Sequence, residues 1–444
     1  MRWSTTCWRR TAAGCRSIAE RAGAAQGALD GVRPGRRRLT SPTYHALRQL
    51  VDSLPVASSH EHLLPDDVQQ RLTLDSLLFN SYVKMLDLRP GDTAEEHGRF
   101  LDACRQNGLF NWLERALREI YTLEAPLDPA NWEAVSERIA ARHADPEAHL
   151  TILRQHAKYR RAIQDAYWDY GSDNGHPELL SPTLRTDMFT TVYHPDLADH
   201  DGNCPFRAYP QAPRTGLGDY LAFVEELFRG WRQQGGVALK SALAYERSLD
   251  FGTPDRAVAE GVFLRDPARV GQADRLAFGN FMFHWFCDLA ARLEVPFQVH
   301  TGIGRLRDSA PMLLEPALAA HPGTRFVLFH VGYPWYDAVA GLAHSFANVV
   351  VDLVWVPLLS VSGAASALHE LLDVARSGER ICWGGDARTA EEALGALLAW
   401  RHVVARVLSE KVEEGYLDMG HAERLAHGLM YSNVARLYGL DLAV

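Results

Sequence analysis

Six side chains able to hold a metal ion or move a proton each stand where a short apolar run stops. His60 and His62 close residues 54–62, Lys240 closes 236–240, His300 closes 295–300, His330 closes 326–330 and Asp386 closes 381–386. Runs this short, most with Gly or Pro alongside, read as buried parallel strands. Two histidines two residues apart on a strand share a face, while Glu61 between them points to the other. Imidazoles of this kind suit a first-row divalent ion, zinc by default, with manganese fitting a set that includes a carboxylate. Judged singly, each residue has a plainer use. A histidine can be a satisfied core residue, a lysine can snorkel from a barrel rim, and Asp386 can cap a helix beginning near Thr389. The joint pattern outweighs these, because polar groups at the carboxyl ends of successive barrel strands meet at one mouth. A metal centre is expected.

The rest of the chain has to supply the strands that bring these residues together. A helix over 45–53 leads into the first strand. Residues 65–157 then turn helical, with Leu109, Trp112, Leu113, Ala116, Leu117 and Ile120 at amphipathic spacing inside 108–123. Helices over 132–139 and 150–158 continue the style, and Pro90-Gly91, Asp128-Pro129 and Asp145-Pro146 separate them. This is a helical insertion after strand one, either covering the mouth or serving as a stabilising cap. Strands two and three are expected at 161–168 and 185–192. Helices over 217–234, 275–293 and 312–320 lead to the Lys240, His300 and His330 strands. Residues 349–355 form strand seven, and a helix over 364–375 leads to the Asp386 strand. From 390 the chain is mostly helical. Repeated β-then-α units imply parallel strands with right-handed crossovers. The fold class is therefore α/β, a (β/α)8 TIM barrel with a helical insertion and a helical C-terminal extension.

Bulk composition agrees with a large enzyme. The 444 residues are 47% hydrophobic and 23% charged, with a net charge of −9, which speaks against nucleic-acid binding. No run is long and apolar enough to suggest a membrane span. Six scattered cysteines without a C-x-x-C pair fit reduced thiols in a cytoplasmic protein. Residues 1–40 stand apart: nine arginines fall in 1–38, with few acids. A transit peptide or twin-arginine signal is conceivable, but a basic unstructured tail is the simpler reading. The domain division is thus a tail over 1–40 and a barrel over 41–444.

The ordered set resembles the amidohydrolase superfamily: H-x-H at strand one, Lys or Glu at strand four, His at strands five and six, and Asp at strand eight. Residues 298–304, 328–334 and 431–439 are similar to the amidohydrolase-related branch of metal-dependent hydrolases, nonoxidative decarboxylases and uronate-isomerase-like proteins. The likeness runs over about 54–440. It implies that His60, His62 and Asp386 hold one divalent ion, with His300 a further ligand on it or on a second. His330 is then a second-metal ligand, or it polarises a substrate carbonyl. Lys240 can bridge two ions only if carbamylated, since an ammonium has no lone pair; one or two ions are compatible. Asp386 is the implied general acid–base group for a metal-activated water whose pKa falls towards roughly 7. Two departures stand out: Ser58 occupies a position where many members carry Asp, and the long insertion suits the uronate-isomerase side.

The expected reaction is hydrolysis of a C–N or C–O bond in a small polar substrate. Tyr245 and Arg247 lie just past Lys240, Arg305 and Trp335 lie in comparable loops, and Arg185 is placed at the start of strand three. Each has a loop-packing alternative; together they lean towards an anionic substrate. The alternatives are a decarboxylase or uronate-isomerase-like enzyme on the same barrel and, further off, a non-catalytic binding domain. The expected partner is a small molecule, not nucleic acid or a membrane, and self-association into a homo-oligomer stays open.

Overall fold

Eight short strands form one parallel sheet in chain order: β1 Val56–Glu61, β2 Tyr159–Gln164, β3 Leu180–Arg185, β4 Ala238–Ser241, β5 Phe297–His300, β6 Phe326–Phe329, β7 Val349–Asp352 and β8 Ile381–Cys382. The computed structural model describes residues 41–440, so the basic stretch over 1–40, with Cys7 and Cys15, lies outside the described residues. Beyond β8 the chain continues along β1. The Ser59 amide donates to Trp383 O at 3.0 Å, Asp386 N–H to His60 O at 2.9 Å and His62 N–H to Ala387 O at 2.9 Å. These bonds close the sheet into a (β/α)8 barrel.

The two-residue alternation of a strand divides its side chains between two environments. Leu239, Phe297, Val299, Phe326, Leu328, Val349 and Val351 join the large core shared with the surrounding helices. Ala57, Ile163, Ala238, Val327, Phe329 and Val350 form a second cluster inside the barrel, into which Tyr431, Val434, Ala435 and Tyr438 of the C-terminal segment pack. Gln298 reaches Tyr438 Oη at 2.7 Å from the same face. Lys240 and His300 are two residues from Ala238 and Gln298, so they point inward too.

Between β1 and β2 the chain forms helices including Leu74–Asn80, Ala94–Cys104, Gly108–Ile120 and Trp132–His143. The longest, Gly108–Ile120, buries the expected apolar face, against the C-terminal helix Ala390–Glu413. Two strand positions differ from expectation. β2 stops at Gln164, and the third strand is Leu180–Arg185, with 187–191 helical. Pro182 within it hides the strand from pattern reading, because proline demotes a run that otherwise reads as extended. Arg185 therefore ends β3 instead of opening it, in register beside Lys240 of β4. Among the described residues no helix is long and apolar enough to cross a membrane, and Cys104, Cys204, Cys287 and Cys382 are free thiols.

Candidate metal centre

The site begins at an irregularity in β1. Ser58 pairs with Ala162 and Glu61 with Gln164, so β1 holds one residue more than β2 across this interval. The bulge falls at Ser59–His60, where it can re-aim a side chain. His60 Nε2 and His62 Nε2 lie 3.3 Å apart. Asp386 Oδ1 is 3.6 Å from the first and 3.4 Å from the second. His62 Nδ1 meets the Asp165 carbonyl at 2.7 Å; a carbonyl only accepts, so this nitrogen carries the proton and Nε2 keeps its lone pair. His60 Nδ1 is buried without a hydrogen-bond partner and can carry that ring's proton. Burial lowers both rings, His60 well below the ordinary imidazole range, so both are neutral at pH 7. Two lone pairs and a carboxylate oxygen thus converge. Four-coordinate zinc with ligands near 2.0–2.1 Å has a donor–donor edge of about 3.3–3.4 Å. The observed spacing fits a divalent ion.

Asp386 reaches this position through a glycine pair. A Cβ on Gly384 would lie 2.6 Å from the His60 backbone nitrogen, and one on Gly385 2.6 Å from Glu61 Oε1. Only glycine lets the end of β8 ride this close to β1. Asp386 itself sits at φ 61°, His330 at 59° and Trp355 at 65°. Left-handed backbone at three non-glycine residues past the ends of β6, β7 and β8 is costly and gathers at functional sites. Asp386 does not cap the following helix: Thr389 does, its hydroxyl accepting from Glu392 N–H at 3.3 Å.

The second oxygen of Asp386 accepts a hydrogen bond from Tyr82 Oη at 2.8 Å. Tyr82 comes from the insertion and packs on Trp355, with ring centroids 5.3 Å apart. Burial, then the Asp386 charge, pushes the phenol pKa well up, keeping it a proton donor. Glu392 holds the arrangement from behind, accepting the Tyr82 amide at 2.5 Å and the Arg388 amide at 3.0 Å. Arg388 donates to Tyr167 Oη at 2.7 Å, and Tyr167 stacks edge-on against His62. The Arg388 Nε is buried without a partner.

Other expected residues separate into three situations. Lys240 Nζ lies 3.4 Å from His60 Nε2 and 3.9 Å over the Phe329 ring, with its pKa brought down by burial to about 8. His300 and His330 form a pair of their own: His330 Nε2 meets His300 Nδ1 at 3.0 Å, and the outer nitrogens face Val354 O and Ile303 O. Burial lowers both, His330 to about 4. Tyr245 lies over His300 with centroids 4.5 Å apart. Arg185 binds Asp165 at 3.0 Å and Asp201 at 2.7 Å. Burial raises the Asp165 carboxyl, but Arg185, His62 and Lys240 together outweigh it and the net direction is down. Arg247 is not presented as a carboxylate clamp. Its guanidinium is spent on Ser248 O, Asp250 O, Leu276 O and Asn280 Oδ1 and lies over Phe251, which is loop packing. Arg305 likewise binds Glu246 O and Asp308. Trp335 is half-buried just before the helix Tyr336–Ser345; the indole that meets His330 is Trp355, at 5.8 Å.

Sequence reasoning passed over Asp165, Tyr82, Arg388 and Glu392. Asp165, 3.6 Å from His60 Nε2, ends the run Ala162-Ile163-Gln164 as the other site residues end theirs, and an overlong second strand concealed it. Arg388 is two residues past Asp386. Tyr82 has no local signal.

Comparison with known proteins agrees with this architecture. Residues 256–440 match the amidohydrolase family model Amidohydro_2. No curated protein matches the chain. Among solved structures, uronate isomerase from Thermotoga maritima is similar at 18% identity and a TM-score of 0.71, over 90% of this chain and 98% of that one. Glucuronate isomerase from Caulobacter crescentus is similar at 15% identity and 0.69, over 93% and 98%. A protein provisionally named a metal-dependent hydrolase, from Lactobacillus casei, is similar at 17% identity and 0.64, over 88% and 97%. At these identities the likeness is one of fold. The matched segment carries β5 to β8 with His300, His330 and Asp386, so this part of the chain is similar to the amidohydrolase family.

Proposed function

We propose that this protein is a metal-dependent aldose–ketose isomerase acting on a small anionic polyhydroxy acid of the uronate type. The observation that carries the reading is the 2.8 Å bond between Tyr82 Oη and Asp386 Oδ2, beside the donors of the metal centre. Moving a carbonyl between neighbouring carbons needs a base to take a carbon-bound proton and an acid to serve the oxygens. Asp386 and Tyr82 are such a pair, already in contact. A divalent ion, of the zinc or manganese class, supplies Lewis acidity to a coordinated oxygen when bound by His60, His62 and Asp386. Arg388, with its unpartnered Nε, offers a guanidinium group suited to a carboxylate. The fold shared with two uronate isomerases supports the same substrate class.

The expected result is interconversion of a uronate and its 2-keto isomer, abolished by chelation, with solvent deuterium entering the carbon that receives the proton. NMR of a uronate panel in deuterated buffer measures it. A metal-loaded protein that hydrolyses esters or amides and leaves every uronate unchanged would return the reading to hydrolysis, for which Asp386 would move the proton of water. Tyr82→Phe is expected to lower kcat by about 10²-fold, at the low end of acid–base catalysis, with KM and bound metal nearly unchanged. Steady-state kinetics beside elemental analysis checks that split.

A further inference from the structure

A second group of metal-ligating side chains lies outside the centre described above. Asp66 opens the short helix Asp66–Gln69, four residues past His62. His149 lies in Ala148–Thr151 at the far end of the insertion, and His176 in the loop between β2 and β3. His149 Nε2 is 3.1 Å from Asp66 Oδ1, and His176 Nε2 is 3.0 Å from both Asp66 oxygens. The two rings meet at 66° with centroids 5.9 Å apart, and one donor atom from each residue lies within 4.8 Å of the others.

We propose that Asp66, His149 and His176 bind a further divalent ion of the zinc class, with water completing the coordination. Three donors of the types zinc selects come from segments 27 and 83 residues apart in sequence, with both imidazole–carboxylate separations near the tetrahedral edge of about 3.3 Å. Imidazole pairs exclude calcium and magnesium, which prefer oxygen ligands. The Asp66 side chain is 37% exposed, giving water and ion a way in. The ion would staple three segments. One is the loop after His62, which Asn174 and Gln164 already grip at Leu63; the others are the end of the insertion and the β2–β3 loop. None of the three ligands belongs to the first centre, so the two sites stand or fall separately.

The test is zinc content of the full chain after stripping and dialysis against zinc, read by elemental analysis, with cobalt(II) spectra for geometry. His176→Ala and Asp66→Asn are each expected to hold one equivalent fewer than wild type. His60→Ala/His62→Ala is expected to keep a tetrahedral cobalt band that disappears when His176→Ala is added. Circular dichroism verifies folding, and the near-isosteric Asp66→Asn decides if His176→Ala does not fold. Wild-type zinc content in both single variants overturns the proposal. So does a His60→Ala/His62→Ala protein that binds no zinc, an outcome that leaves the first centre standing. Loss of one equivalent in His176→Ala with none lost in His60→Ala/His62→Ala supports this site and removes the first.

Discussion

Asp386→Asn is expected to lower kcat by about 10²- to 10⁴-fold, the range for a lost acid–base group, while leaving the protein folded. The carboxylate has two distinct tasks, with Oδ1 among the imidazole nitrogens and Oδ2 under the Tyr82 hydroxyl. An asparagine keeps one oxygen for either task and gives the other position an NH2 that cannot take a proton. Because Thr389 caps the following helix, the exchange removes no structural bond from that helix. Rate measurements beside thermal melting and metal analysis check the result. A loss under tenfold with metal retained would mean that another group moves the proton.

Glu61→Ala is expected to cost about 3–5 kcal/mol, from several buried donors each stranded at roughly 1–3 kcal/mol. Glu61 points away from the metal-ligand face and ties β1 to the end of β8. It accepts from Ser58 Oγ at 2.6 Å, Tyr159 Oη at 2.7 Å, Gly385 N–H at 3.1 Å and Ala387 N–H at 2.7 Å. The hydroxyls can turn elsewhere, but the two amides cannot. Native stabilities of about 5–15 kcal/mol leave little margin for such a loss. Urea unfolding measures it, and metal affinity should fall in parallel because Asp386 sits between those amides. A change below about 1 kcal/mol would show that the closing backbone bonds hold without this carboxylate.

The barrel was legible because its strands announce themselves twice, as short apolar runs and as runs that end on a chemically capable residue. Ser58 shows where such reading meets its limit. It stands where many related chains carry Asp, and in three dimensions its hydroxyl supports Glu61, a residue that alternation had only placed on the opposite face. The third strand stayed hidden because Pro182 interrupts it, and with it went the true position of Arg185 and the meaning of Asp165. Arg247 misled for another reason: position in a loop near the mouth says nothing about where a long side chain spends its donors. Tyr82 lay beyond reach altogether. Its bond to Asp386 spans 304 residues, and no periodicity encodes a contact between an inserted helical segment and the last strand.

That contact also fixes how such a protein can change over time. The candidate metal ligands belong to the cylinder, whereas the phenol bonded to one of them arrives on an appendage. A chimaera given a foreign cap would still load its metal and would forfeit its proton donor. New chemistry on this scaffold is therefore expected to arise through the appended helices, with the eight strands inherited as they are.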